Sequence, residues 1–303
     1  MRFAFLGTGG SYPSRERMTQ AFAVRTNGDV VLFDCGEGAQ RQMMLSSFSF
    51  MQVKTICITH FHGDHVLGLP GLIQTMQLND RREPLDILVP KGTKEHADRC
   101  IEFGHFKLKK FEARVHELAD GEQRAFPGYT ITAATLNHNL IPTIGFRLDE
   151  PDRAGKFDRD RAIALGVPEG PLFSRLQDGH AVEGAKGKVR PEDVMGPRRP
   201  GRSFCYLTDT APCARAVEVS RGADALIMEA TADDSLTEYA NQYGHCAASQ
   251  TAQTAKDAGV RELFIVHTSS RYKEKDPIES QARKIFPNTR VPSDLEEVDL
   301  PWG

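Results

Sequence analysis

The chain has 303 residues, with 38 lysines and arginines against 41 aspartates and glutamates, a formal net charge of −3. That length suits one large layered domain or two ordinary ones, and the charge balance excludes a uniformly basic nucleic-acid coat, leaving only local patches for any nucleic acid. No stretch approaches the ~20 apolar residues of a membrane span, and the six cysteines lack any CxxC pairing, which suits a reduced cytoplasmic protein rather than a disulfide scaffold or a cysteine-ligated metal site.

Taken in chain order, Met1-Arg2-Phe3 opens into a strand, not a signal peptide. Segments near 2–6, 20–25, 30–34, 53–58 and 85–89 read as strands, with helices after Gly36 and over about 92–104. The alternating run Tyr129–Thr135 and the segment 143–148 are further strands. Strands near 203–208, 223–228 and 261–266 follow, with helices near 211–221, 246–258 and 277–285. This alternation in both halves predicts an α/β (α+β) fold with two sheets between helices. Between the halves, residues 150–202 carry fourteen glycines and prolines, too many breakers for a packed core. From Gly184 to Arg202, six basic residues (Lys186, Lys188, Arg190, Arg198, Arg199 and Arg202) face only Glu192 and Asp193, a local net charge of +4.

Chemistry concentrates where the strand ending at Ile58 meets Thr59-His60-Phe61-His62-Gly63-Asp64-His65. On an extended chain residues i and i+2 point the same way, so His60 and His62 can hold one metal. Gly63 lets the backbone turn, and Asp64 and His65 can address a second metal beside it. Imidazoles with a carboxylate suit zinc, manganese or iron better than calcium or magnesium. Further ligands should sit at the ends of other strands. His138 follows Tyr129–Thr135, Asp209 ends 203–208, and His267 ends 262–266. A carboxylate has two oxygens, so Asp209 can bridge two ions.

With these residues in place, the chain resembles the metallo-β-lactamase fold and, within it, the ribonuclease Z family of tRNA 3′-processing endonucleases. The similarity runs through Phe5-Leu6-Gly7-Thr8-Gly9, Leu32-Phe33-Asp34-Cys35-Gly36-Glu37, Gly68-Leu69-Pro70-Gly71-Leu72, Gly170-Pro171, Glu229-Ala230-Thr231, Gly244-His245 and His267-Thr268-Ser269-Ser270-Arg271-Tyr272. The resemblance implies an αββα sandwich of two mixed sheets flanked by helices: a single domain, 1–303, with a flexible tRNA-binding arm inserted at 150–202. It implies two zinc ions per subunit, manganese being the alternative. His60, His62, His138 and Asp209 would hold the first, and Asp64, His65, Asp209 and His267 the second. Asp64 would also take the proton of the attacking water, and Asp34, Glu229 and His245 would support the ligands. The substrate would be precursor tRNA, bound by a homodimer whose arm serves the other subunit. Contacts to RNA would come from Arg15, Arg17, Lys186, Lys188, Arg190, Arg198, Arg199 and Arg271. A broad-specificity phosphodiesterase of the same fold is the alternative.

Two positions depart from the family pattern. The loop Pro13-Ser14-Arg15-Glu16-Arg17-Met18 matches Pro-x-Lys-x-Arg-Asn except at Arg15 and Met18. Met228 stands where the family has a histidine before Glu-Ala-Thr, so Glu229 is expected to point at a missing proton donor unless His245 replaces it.

Overall fold

In the strand Arg2–Gly7, Phe3 and Phe5 alternate with Ala4 and Leu6, and both sets are fully buried. Successive side chains of a strand point to opposite faces, so this strand has apolar material on both sides. A computed structural model of the protein, describing residues 1–273 and 276–302, shows what lies there. Phe3 and Phe5 join a core with Phe22, Phe33, Phe146, Phe204, Tyr206 and Phe264, shared by two sheets. Ala4 and Leu6 pack outward with Leu69, Leu72, Ile73 and Met76 of the helix Leu69–Leu78. On the far side, Leu226, Met228, Leu263 and Ile265 pack with Ala248, Ala252 and Ala255 of the helix Ala248–Ala258. The order of layers is therefore helix, sheet, sheet, helix.

Both sheets have seven strands and are mixed. The first runs Glu296–Asp299, Arg2–Gly7, Ala21–Thr26, Asp29–Phe33, Val53–Cys57, Leu85–Pro90, Ala113–Leu118. Its first three pairings are antiparallel and its last three parallel. The second runs Thr289–Arg290, Glu262–Val266, Ala225–Glu229, Ser203–Leu207, Ile144–Asp149, Tyr129–Thr135, Gln123–Phe126, parallel in its first three pairings and antiparallel in its last three. Tyr129–Thr135 is antiparallel to a strand that is itself antiparallel to Ser203–Leu207, so those two run the same way. The carboxyl ends that precede His138, Asp209 and His267 thus share one edge of the second sheet. Among the described residues, no helix is long and apolar enough to cross a membrane.

The chain divides into two compact units, Met1–Asp149 with Arg202–Pro301, and Glu150–Gly201 with Trp302. The second unit corrects the expectation of an unpacked arm. Its two limbs pair at Arg153↔Arg199 and Phe157↔Met195. Beyond them Ala162, Val167, Leu176, Val182, Val189 and Val194 form a core of their own, with Phe157 and Phe173 against it. The breakers serve as element boundaries instead. Gly170 has φ +132°, a region that only glycine enters freely, and Pro171 then starts the helix Pro171–Gln177. Lys186 is in the turn of the hairpin Val182–Gly184/Gly187–Val189, and its ammonium donates to the Ala164 carbonyl.

The inter-sheet aromatic cluster carries the largest buried side chains. Phe204 meets Phe3, Phe22 and Phe33 with ring centroids 5.2, 5.8 and 5.5 Å away. Phe204→Ala should destabilise the protein by about 3–5 kcal/mol, read as a lowered urea midpoint with unchanged slope.

Candidate metal centre

The parallel strands bring their carboxyl ends to one edge, where loop residues gather as in other open α/β sheets. After Val53–Cys57 the chain passes through His60 and His62, then turns into the short helix Gly63–Val66, which carries Asp64 and His65. His138, Asp209 and His267 arrive from the second sheet. One group of converging ligand atoms comprises His60, His62, His138 and Asp209, and another Asp64, His65 and His267. Asp209 lies between them. Its Oδ2 is 3.6 Å from His60 Nε2 and 3.9 Å from His138 Nε2, and its Oδ1 is 3.3 Å from both His65 Nε2 and His267 Nε2. Asp64 Oδ2 is 3.2 Å from His267 Nε2.

These atoms fit divalent cations. His60 Nε2, His65 Nε2 and Asp209 Oδ1 are buried without a hydrogen-bond partner, a costly state for polar atoms unless something else binds them. In four of the histidines the other ring nitrogen is held. His65 Nδ1 bonds Asp34 Oδ2 at 2.8 Å, His138 Nδ1 the Gly244 carbonyl at 3.0 Å, His60 Nδ1 the Thr59 hydroxyl at 3.1 Å and His267 Nδ1 the Thr231 hydroxyl at 3.1 Å. Such partners fix the tautomer and aim Nε2 inward. His62 offers Nδ1 instead, 3.3 Å from His138 Nε2. Gly244 is needed where it stands, because a Cβ there would lie 2.8 Å from His138 Nδ1.

Protonation follows from the same contacts. Burial opposes charge on Asp209, but His267, His65 and His60 outweigh it and hold the carboxyl well below its ordinary range. Burial likewise works against the Asp64 carboxylate, and it too is held low by the bond from His267 and the charges of His65 and His267. Burial pushes His60 and His62 down, which favours neutral rings able to offer a lone pair to a cation. His65 goes the other way: burial disfavours its charge, yet Asp209 and Asp34 keep a proton on the ring. A cation at Nε2 would take that proton's place.

Two fully buried carboxylates support the ligands. Asp34 accepts from Thr59 N at 2.8 Å, Thr59 Oγ1 at 3.0 Å and Tyr206 OH at 3.0 Å, besides His65. Glu229 accepts from Thr210 N at 2.7 Å and Thr231 Oγ1 at 2.8 Å, and meets His245 Nδ1 at 2.9 Å. Reasoning from sequence missed Ser11, whose amide donates to Asp64 Oδ2 at 2.7 Å, and the relays Thr59 and Thr231. Ordinary threonines and backbone amides leave no distinguishing pattern in a sequence.

Comparison with known proteins places this geometry in a family. Residues 1–149 match the family described as anti-Pycsar protein Apyc1, and residues 177–268 match the beta-lactamase superfamily domain. Ribonuclease Z of Methanosarcina acetivorans is 45% identical over 303 residues, spanning 100% of this chain and 99% of the relative. Ribonuclease Z of Methanosarcina mazei is 44% identical with the same coverage. The chain belongs to the ribonuclease Z family. Among solved structures, the short form of human tRNase Z is similar with a TM-score of 0.70 and 27% identity, covering 99% of this chain and 100% of that one. The fold is accordingly that of the metallo-β-lactamases, and the chain is a metal-dependent hydrolase of the ribonuclease Z type.

Against that family pattern, two expectations need correction. Met228 does not face the site. Strand alternation turns it toward the helix layer, where it is fully buried with Leu226 and Ile265, while Glu229 points to the ligands and takes His245 as partner. Burial works against the charged His245 ring, but Glu229 raises it to about 9. Arg17 is also turned inward. Its guanidinium donates to Thr8 Oγ1 and to the Pro292 carbonyl, so it braces the loop and is not presented to RNA. Arg15 and Arg271 are exposed, as are Lys186, Lys188, Arg190, Arg198 and Arg199 of the second unit.

The bond from Asp34 to His65 should govern metal retention. Asp34→Asn keeps the shape but weakens the acceptor, and metal affinity should fall about 10–100-fold, measured as metal per chain after dialysis against graded chelator.

Proposed function

We propose that this chain removes 3′ trailers from precursor tRNA by hydrolysing one phosphodiester, leaving a 3′-hydroxyl on the tRNA and a 5′-phosphate on the trailer. The full-length identity to ribonuclease Z, joined to a complete set of seven converging ligands, supports this reading. It does not favour a broad-specificity phosphodiesterase. We assign two Zn2+ per subunit, with Mn2+ as the alternative: His60, His62, His138 and Asp209 hold one, and Asp64, His65, His267 and Asp209 the other. When bound, the ions supply a nucleophile at neutral pH and neutralise charge on the attacking and leaving oxygens.

The chain's own residues do the rest. Asp64, fixed by the Ser11 amide, accepts the proton of the attacking water. His245, oriented by Glu229, gives a proton to the departing 3′-oxygen, a poor leaving group that gains from general acid help. The basic residues of the inserted unit contact phosphates of the tRNA body, and such contacts position a substrate without acting on the scissile bond. We further assign a homodimer in which that unit serves RNA bound at the other subunit. Met44 and Leu67, both exposed and lining one cleft, give a second copy apolar surface to cover. The cytoplasm is the fitting compartment, since all six cysteines are free thiols.

The deciding experiment incubates purified protein with zinc or manganese and end-labelled precursor tRNA and maps the new 3′ end. Cleavage at the trailer junction by the parent, with a loss of roughly 10²–10⁴-fold in Asp64→Ala on both RNA and a nitrophenyl diester, is the expected result. Substantial activity in that variant on either substrate would sink the assigned mechanism.

Charge on the inserted unit has a separate signature. Replacing Lys186, Lys188 and Arg190 together by glutamine should weaken precursor tRNA binding and flatten its dependence on log salt by roughly 0.9 per lost phosphate contact, while nitrophenyl-diester turnover stays near the parental rate. An unchanged slope would show that these residues are merely solvated.

A further inference from the structure

A second cleft, of about 410 Å3, adjoins the metal-ligand pocket, and the two share Ser11, Tyr243 and His245. Its walls carry Tyr12, Tyr239 and Tyr243, which are 61%, 51% and 52% exposed. Three of the chain's six tyrosines thus stand open to solvent in one place, whereas Tyr129 and Tyr206 are buried in the core. Rings left in water add nothing to the fold, so a cluster of them calls for a ligand. Tyr239 belongs to the helix Thr237–Gln242 and Tyr243 is its C-terminal cap. Their centroids are 4.8 Å apart but their planes are tilted by 49°, so neither ring covers the other's face by parallel stacking. The Arg271 guanidinium lies 5.8 Å from the Tyr239 centroid, within reach of a cation–π contact. Among the described residues, no carboxylate lines this cleft.

Aromatic faces beside a cation, continuous with a site that cleaves phosphodiesters, are the chemistry of single-stranded nucleic acid. We propose that this cleft is a stacking subsite for an unpaired nucleotide flanking the scissile phosphate, the tyrosine rings taking base faces and Arg271 the adjoining phosphate. The proposal rests on the endoribonuclease reading and adds the residues that hold the cut strand. Every base has a π-face, so the subsite accepts any sequence. A base inside a helix has its faces covered by its neighbours, so the subsite rejects a paired strand. The requirement for an unpaired end would then reside in this cleft, apart from the phosphate contacts of the inserted unit.

The test measures steady-state cleavage of precursor tRNA by the parent and by Tyr12→Ala, Tyr239→Ala and Tyr243→Ala. Each is assayed on RNA with either a normal or an abasic nucleotide at every position beside the scissile bond. At least one alanine variant should raise KM about tenfold, with kcat changed less. The penalty should disappear on the substrate that is abasic at the stacked position, and the corresponding Tyr→Phe variant should recover most of the lost binding. Parental KM in all three alanine variants overturns the proposal. So does a penalty equally large on normal and abasic RNA, which marks a role in folding or positioning alone. Absence of cleavage by the parent counts against the endoribonuclease reading. The cleft is then judged by anisotropy of a labelled unpaired oligonucleotide on metal-loaded protein, where undiminished affinity in the alanine variants overturns it.

Discussion

The carboxylate of Asp34 is the contact on which the rest of the site depends. It is fully buried, it belongs to the first sheet, and it bonds both Tyr206 of the second sheet and His65 of the metal-ligand group. A buried charge left without partners costs several kcal/mol, so this group requires its whole circle of donors. Tyr206 fixes the spacing between the two sheets at that point and also accepts from Gln20. Thr59 carries the same constraint one residue further, to His60. One side chain therefore ties the second sheet to the orientation of His65 and, through Thr59, of His60.

That arrangement carries a backbone cost. Asp34, Asp209 and His267 have φ of +53°, +54° and +53°, left-handed values that a non-glycine residue adopts at about 1–2 kcal/mol each. All three lie at or just beyond the carboxyl end of a strand whose later residues are fully buried. Strands packed on both faces by phenylalanines, leucines and alanines cannot shift to relieve the strain, because the interior is packed as a solid. The left-handed step turns the chain sharply at the sheet edge and sends each side chain inward. Rigidity of the core is thus what lets the site keep geometry that the local backbone disfavours.

Much of this was legible in the sequence. Strands buried on both faces read as continuous apolar runs, and the ligands sit where such runs end, so His138, Asp209 and His267 could be picked out far from the His60–His65 cluster. Other features left weaker traces. The edge strand Glu296–Asp299 is half exposed and acidic, with only Val298 packed against the core, and it is placed by pairing with Arg2–Gly7. The helix Leu69–Leu78 was obscured by Gly68, Pro70 and Gly71, although proline is at home in a first helical turn. In the inserted unit, six small aliphatic residues spread among breakers make a core that no periodicity announces. The orientation of Met228 and Arg17 depended on strand facing and on Thr8 and Pro292, contacts distant or invisible in a linear reading.

The two halves of the centre solve one problem in the same way. In the first sheet Asp34 follows one parallel strand, and Thr59 and His60 follow its neighbour. In the second, Glu229 ends one parallel strand and His267 follows its neighbour, with Thr231 as the relay between them. In each case a threonine hydroxyl donates to the carboxylate and so has only its lone pairs left for the histidine, which must carry hydrogen on Nδ1 and turn Nε2 to the metal side. Each carboxylate also holds a second imidazole, His65 in one half and His245 in the other. The outcomes differ at that last step. His65 is fully enclosed and joins the metal-ligand group, whereas His245 borders both the pocket and the aromatic cleft. A shared arrangement of carboxylate, threonine and histidine thus stands at parallel strand ends in both halves, with one second imidazole enclosed among the converging groups and the other open to the pocket.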